Sequence, residues 1–352
     1  MKYEVKLEKP ILTSLRGCFD DSQRTLWFGA VSFEERCIGS LVSLERNDLR
    51  IDQMIALEYS IDPYPFNEGR ERINKNKDIL QSYDHRLGSE NLEFRRVDAY
   101  SFQDLQEIVE RVLESTYEFV VFDITCMTKI HALAIAATLA QMRTSCKWAI
   151  AYSTPENYGN LGGLAKAFGW QDIIIAPLAE TASLYNEANG RGIVITGHEA
   201  DRLIVALGEL EPTGGVIIVP DTPRRPDLRY ISTRINSKIV RQLTGMRSQS
   251  WARQVISIDD LARLHNCVSR EVDLARRYDA PVILFPYGPK SLLFFSALQL
   301  ASEYPEASWF VYPILSSHFV SYSEGIESTM WLMPKDVTAT QSSPLPLGVM
   351  IA

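Results

Sequence analysis

Histidine and cysteine are scarce in this sequence, with five of each in 352 residues. Cys18, Cys37, Cys126, Cys146 and Cys267 are odd in number and widely separated, so neither a disulfide framework nor a Cys-x-x-Cys zinc site is written into the chain. A reducing cytoplasm is the expected compartment. His85, His131, His198, His265 and His318 show no mutual metal spacing, and neither a metal nor a cofactor is expected. Also missing are a Gly-x-Gly-x-x-Gly turn after a first strand, a Walker phosphate loop, His-Glu-x-x-His and Gly-x-Ser-x-Gly. These absences argue against dinucleotide enzymes, P-loop ATPases, zinc peptidases and α/β-hydrolases of the usual kinds. Apolar runs such as Leu292–Leu300 fall far short of the roughly 20 residues that span a membrane. No apolar segment follows a basic start, so the expectation is a soluble, unexported protein without membrane contact. Positive charge is in deficit, with a formal net charge of −8, which opposes general coating of nucleic acid or anionic membrane.

What is present is a globular composition, 46% hydrophobic and 23% charged, in which strand-like apolar runs alternate with amphipathic helical segments. The fold class read from this is α/β. Strands are expected near Leu26–Val31, Met54–Tyr59, Leu92–Val97, Phe119–Asp123 and Lys147–Tyr152, and again near Gly192–Thr196, Gly215–Val219, Gln254–Ile258, Pro281–Phe285 and Trp309–Tyr312. The two series run in parallel. Asp62-Pro63 and Asp221-Thr222-Pro223 open Pro-rich loops that lead to Arg72-Ile73-Asn74 and Arg234-Ile235-Asn236; Lys129 and Lys290 precede the fourth helices; Trp148 and Trp309 open the fifth strands. The offset between copies is constant to within one residue at the arginine, lysine and tryptophan anchors. The expected architecture is therefore two tandem Rossmann-like parallel-sheet domains related by internal duplication, a pseudo-dimer with a shared cleft. Residues 1–165 form the first domain, 166–190 a linker, 191–333 the second domain, and 334–352 a mobile or docking tail.

In open parallel sheets, ligands collect at the carboxyl ends of the strands, where loops enter helices. The loop after the fourth strand is Asp123-Ile124-Thr125-Cys126-Met127-Thr128-Lys129, a carboxylate, two hydroxyls and an ammonium beside a helix start. Such a set suits a phosphate or a ribose; equally, Thr125 or Thr128 caps the helix and Lys129 is solvated. The second copy has Pro286-Tyr287-Gly288-Pro289-Lys290, keeping the lysine but not the acid or the threonines. The loops after the first strands offer Ser32, Glu34 and Arg36, and Gly197, His198, Glu199 and Arg202; their acids and arginines either bind a polar ligand or pair with one another. Tyr152, Tyr158, Tyr287, Tyr312 and Tyr322 lie where they would stack on a base or simply line the core edge. A basic segment, Arg224 to Arg253, carries eight basic residues and one acid, Asp227. It reads as an anion or partner contact or as a solvated face, and no other part of the chain is a candidate for direct DNA or RNA binding.

The Asp123–Lys129 loop resembles the D-x-T-x-G-T-K type of loop in the CRISPR-associated Rossmann fold family of cyclic-oligonucleotide sensors, with Ser32 at the hydroxyl position of that family's other ligand loop. The double copy is similar to SAVED domains of anti-phage signalling systems. By this resemblance Ser32, Thr125, Thr128, Lys129 and Lys290 would contact the ligand; Met127 stands where the family usually has glycine. The resemblance implies a small-nucleotide sensor of bacterial defence that acts on a separate effector protein. Two other readings stay open: a metal-independent phosphodiesterase similar to ring nucleases, with Ser32 and Lys129 acting on the ligand, and a ligand-free interaction subunit of a defence complex.

Overall fold

The computed structural model describes residues 23–59, 67–89, 91–142, 144–158, 170–180, 182, 190–198, 200–223, 225–245, 250–315, 323–334 and 347–351. The first half supplies strands β1 (Thr25–Ala30), β2 (Gln53–Tyr59), β3 (Asn91–Val97), β4 (Phe119–Asp123) and β5 (Lys147–Thr154), with helices α1 (Gly39–Arg46), α2 (Asn67–Arg86), α3 (Phe102–Leu113) and α4 (Lys129–Gln141) between them, then a short β6 (Asn157–Tyr158) and β7 (Trp170–Pro177). The second half supplies β8 (Arg191–Ile195), α5 (Ala200–Leu210), β9 (Gly214–Asp221), α6 (Pro226–Ile235), α7 (Ser237–Gly245), β10 (Ser250–Ser257), α8 (Leu261–Tyr278), β11 (Val282–Pro286), α9 (Lys290–Glu303) and β12 (Ser308–Leu315). Three further strands follow: β13 (Ser323–Glu324), β14 (Ser328–Pro334) and β15 (Leu347–Ile351).

Local chemistry explains these elements. All six residues of β1, Thr-Leu-Trp-Phe-Gly-Ala, are buried, as expected of a central parallel strand covered on both faces. Ser101 caps α3 by accepting the Asp104 N–H at 3.2 Å, and the apolar stripe Leu105, Ile108, Val109, Val112 faces the sheet side of the core. Helix α9 is apolar almost all round, and its residues from Ser291 to Leu298 are buried, the pattern of a helix covered on all sides.

Both sheets are Rossmann-like. In the first, parallel pairings give the order β3-β2-β1-β4-β5; in the second they give β10-β9-β8-β11-β12, so each runs third, second, first, fourth, fifth. All ten expected strands are present, within a few residues at their ends. What continues each sheet beyond its fifth strand departs from expectation. β7 leaves the first half and pairs antiparallel with β12, whereas β14, beyond the whole second half, pairs antiparallel with β5 and is itself covered by β15. The units are thus discontinuous: one takes the chain up to His131, Met142–Gly159 and Phe319 onward, the other Ala132–Gln141 and Asn160–His318.

These findings correct the expected boundaries. The expected linker contains a sheet strand, and the last strand of the expected second domain belongs to the first sheet. The expected tail docks through Leu347–Ile351. The physical reason is the open backbone edge of each fifth strand, whose N–H and C=O groups need an antiparallel partner; β7 has only a short Ile173-Ile174-Ile175 run to announce it. Among the described residues no helix is long and apolar enough to cross a membrane.

The returning strand β14 is bonded deep into the first unit. Trp331 has no exposure, and its Nε1 donates to Ser43 Oγ at 3.1 Å. Thr329 Oγ1 donates to the Gly39 carbonyl at 3.1 Å and lies 2.9 Å from Ser153 Oγ. A Cβ on Gly39 would sit 2.2 Å from that same Ser153 oxygen, so glycine is required at this approach. Trp331→Ala is expected to destabilise the protein by about 3–5 kcal/mol in urea unfolding; a loss below about 1 kcal/mol would show that β14 is not part of the core.

Candidate functional site

In the order third, second, first, fourth, fifth, the chain reverses its winding between strands one and four, and the loops leaving those two strands part on opposite sides of the sheet. In the first unit these are the loops after Ala30 and after Asp123; in the second they follow Ile195 and Pro286. Among the described residues, every expected site residue lies at the end of one of these strands, on the loop that leaves it or in the helical turn that follows.

Asp123 is 2% exposed, and a carboxylate so placed requires donors. Its Oδ1 accepts the Thr125 N–H at 2.9 Å and its Oδ2 accepts the hydroxyl of Ser40. Ser40 Oγ in turn accepts Trp27 Nε1–H at 2.9 Å. Thr125 is fully buried, and its Oγ1 accepts the Ser153 N–H at 2.9 Å. Asp123 and Thr125 therefore hold the loop against β1, α1 and β5. Met127, where a glycine would have lined the loop, is 1% exposed and buried in the protein. Thr128 is the helix cap: its Oγ1 accepts the His131 N–H at 3.2 Å, and its own N–H donates to Tyr59 Oη at 3.0 Å. Lys129 is half-buried and is the first residue of α4. The loop so fixed presents Thr128 and Lys129 at the positive end of that helix.

Glu34 and Arg36 pair with each other within their own loop. Arg36, 4% exposed, places Nη2 2.5 Å and Nε 3.1 Å from Glu34 Oε2. Its Nη1 donates to the Ser153 carbonyl at 3.0 Å, and its Nε also reaches Ser323 Oγ at 3.0 Å. Ser323 donates to the same Glu34 carboxylate. Burial is the largest single influence and would weaken the Arg36 charge, but Glu34, joined by Cys126, Tyr152 and Tyr158, outweighs it, and the guanidinium holds its proton more tightly than a free arginine. Ser32 accepts the Glu34 N–H at 3.3 Å in a local turn.

The second unit closes its two loops on each other. A Cβ at Gly197 would lie 2.0 Å from the Tyr287 carbonyl oxygen, and one at Gly288 would lie 2.4 Å from Ile195 Cγ2 and 2.9 Å from the Thr196 oxygen. Only glycine permits this backbone approach. Arg202, 2% exposed, donates to Tyr312 Oη at 3.3 Å with its guanidinium 5.4 Å from that ring's centroid; Tyr312 stacks on the buried Tyr287 at 6.5 Å. Tyr152, Tyr287 and Tyr312 are thus core-edge tyrosines. His198 and Lys290 are half-buried, Lys290 opening α9 as Lys129 opens α4. Glu199 and Tyr322 lie outside the described residues.

Sequence reading missed two matched devices. Asn76, 2% exposed, donates to the Ser32 carbonyl at 2.7 Å, and Asn236, 1% exposed, donates to the Gly197 carbonyl at 2.8 Å. The Arg-Ile-Asn tripeptides pair Asn236 with Asn74, yet Asn74 is exposed and its neighbour two residues on is the counterpart. The second device is a buried arginine after strand one against a tyrosine on strand five: Arg36 with Tyr152, whose hydroxyl is pushed up by burial and partly held down by Arg36, and Arg202 with Tyr312.

Among the described residues no group of three or more His, Cys, Asp or Glu side chains is placed to hold a metal. Burial pushes the Cys37 thiol up to about 12 and Cys146 up to about 11, which opposes thiolate chemistry at either. His131 is fully buried beside Tyr59, with ring centroids 5.3 Å apart. Its Nε2 lies 2.9 Å from the Asp98 carbonyl, which only accepts, so Nε2 carries the proton.

No protein-family model matches the chain, and no curated protein does. Among solved structures it is similar to a type III CRISPR defence DNA nuclease activated by cyclic oligoadenylate, at 10% identity and a TM-score of 0.49 over 81% of this chain. The chain spans 65% of the length of that nuclease chain. It is also similar, at 12% identity and a TM-score of 0.20, to the rRNA methyltransferase aviRa from Streptomyces viridochromogenes, covering 40% of this chain and 74% of that one.

Burial moves the His131 imidazole from 6.5 down to about 4. The unfolded chain therefore binds the extra proton first, and the stability that neutral His131 contributes, present above about pH 6.5, is lost as pH falls towards 4, by roughly 3 kcal/mol. Unfolding free energies of wild type and His131→Gln measured from pH 7 to 4 should converge at the acid end; an identical slope for both would contradict this assignment.

Proposed function

We propose that the chain is a nucleotide sensor of a defence system, that its two units arose by duplication, and that small phosphorylated ligands, cyclic oligonucleotides, are bound at the start of the helix after strand four, by Thr128 and Lys129 in the first unit and by Lys290 in the second. The observation that carries this reading is the recurrence of one chemical arrangement. In both units a lysine is the first residue of the helix that follows strand four, at the winding reversal of the sheet. There the ammonium and the positive helix end act on the same anion.

The buried bonds of Asp123, Thr125 and Ser40 support the reading in a second way. They fix the loop before any ligand arrives, so little ordering is left to oppose binding. The matched Asn76 and Asn236 contacts and the shared strand order support the duplication. The resemblance of the Asp123–Lys129 loop to sensor loops selects cyclic oligonucleotides as the first compounds to try. Signalling then requires ligand to favour one of two states read by a separate protein.

Lys129→Ala and Lys290→Ala should each weaken cyclic-oligonucleotide binding by roughly 10- to 100-fold in calorimetric titration, the worth of one charge-assisted hydrogen bond, with the unfolding midpoint unchanged. Unaltered affinity in both variants would reject the site.

A further inference from the structure

The basic segment is not absorbed by that site. It forms α6, packed along β9, and α7, packed along the edge strand β10. Helix α6 turns Leu228 and Ser232 inward, and α7 turns Ile239 inward. Two of its arginines are neutralised locally: Arg225 pairs with Asp227 at 2.8 Å and Arg229 with Asp221 at 3.5 Å. Arg234, Lys238 and Arg241 are different. All three are exposed, and none has an acidic partner among the described residues. Tyr230 precedes Arg234 by one helical turn on the same outer face and is 68% exposed, among the most exposed large hydrophobic side chains of the protein.

A charge run on a solvated helix would not bring an exposed aromatic with it, and an acidic polypeptide would have no need of one. Cations that follow a phosphate backbone beside an aromatic face that accepts any base are the requirements of single-stranded nucleic acid. We propose that the outer face of α6 and α7 binds single-stranded nucleic acid, with Arg234, Lys238 and Arg241 on phosphates and Tyr230 stacked on a base. The net charge of −8 limits this to a local, strongly salt-dependent contact. The proposal is independent of Lys129 and Lys290.

The full chain is titrated against a labelled oligothymidylate of about twenty nucleotides, with fluorescence anisotropy as the readout. Three phosphate contacts predict a loss of roughly 20-fold in affinity between about 50 mM and about 200 mM salt. The variant R234E/K238E/R241E, at exposed positions that leave the melting midpoint intact, should bind at least about tenfold more weakly with a flatter salt dependence. Tyr230→Ala should lose about tenfold with the salt dependence unchanged. Absence of binding at the lower salt, or equal binding by the triple variant, overturns the proposal. So does a polyglutamate peptide that binds as tightly, or a Tyr230→Ala variant that binds as wild type; either would hand the face to an acidic protein.

Discussion

Each five-stranded parallel sheet in this protein ends on a fifth strand with a bare backbone edge, and in neither unit does the adjoining chain stay to cover it. β5 is covered by β14, which arrives after the whole second half has been built, and β12 is covered by β7, which leaves the first half to reach it. Unpaired edges invite aggregation, so neither sheet is complete until the chain beyond the other has been placed. Part of the polar architecture of the first unit depends on this exchange. Ser323 and Thr329, on the returning segment, meet Arg36, Glu34 and Ser153 in the first unit, and Trp331 fills space under α1.

Buried polar groups then decide which residues are available for a ligand. Asp123, Thr125, Glu34 and Arg36 carry the chemistry that a sequence reader assigns to binding, yet each is engaged inside the protein, because a buried charge or hydroxyl without partners is expensive. Their partnership gives the loops one shape. Thr128 and Lys129 then stand at the start of α4, and the shorter, glycine-closed loop of the second unit delivers Lys290 to the same point of its own sheet.

The α/β class, the ten parallel strands and the correspondence of Lys129 with Lys290 were legible because they rest on local patterns: apolar runs, helix starts and repeated spacing. The strand exchange was not, since β7 is a short isoleucine run and β14 carries no mark of which sheet it joins. Asn76 was hidden by its neighbour Asn74, whose tripeptide gave the better textual match although the exposed side chain makes the poorer clamp. The burial of Met127, at a position where glycine is usual, could not be read from the sequence, and Glu34 with Arg36 offered a ligand contact and an ion pair in equal measure until geometry chose the pair.

The most direct test of the nucleotide-sensor account is thermal unfolding of the purified chain with mononucleotides, dinucleotides and cyclic oligonucleotides, each ligand being recovered for mass analysis. Saturation at about 100 times the dissociation constant adds about 2.7 kcal/mol to the folded state. The account predicts a raised midpoint with a cyclic oligonucleotide that is recovered intact. Recovery of a linearised product would make the protein an enzyme, and an unmoved midpoint across the whole panel would contradict nucleotide binding altogether.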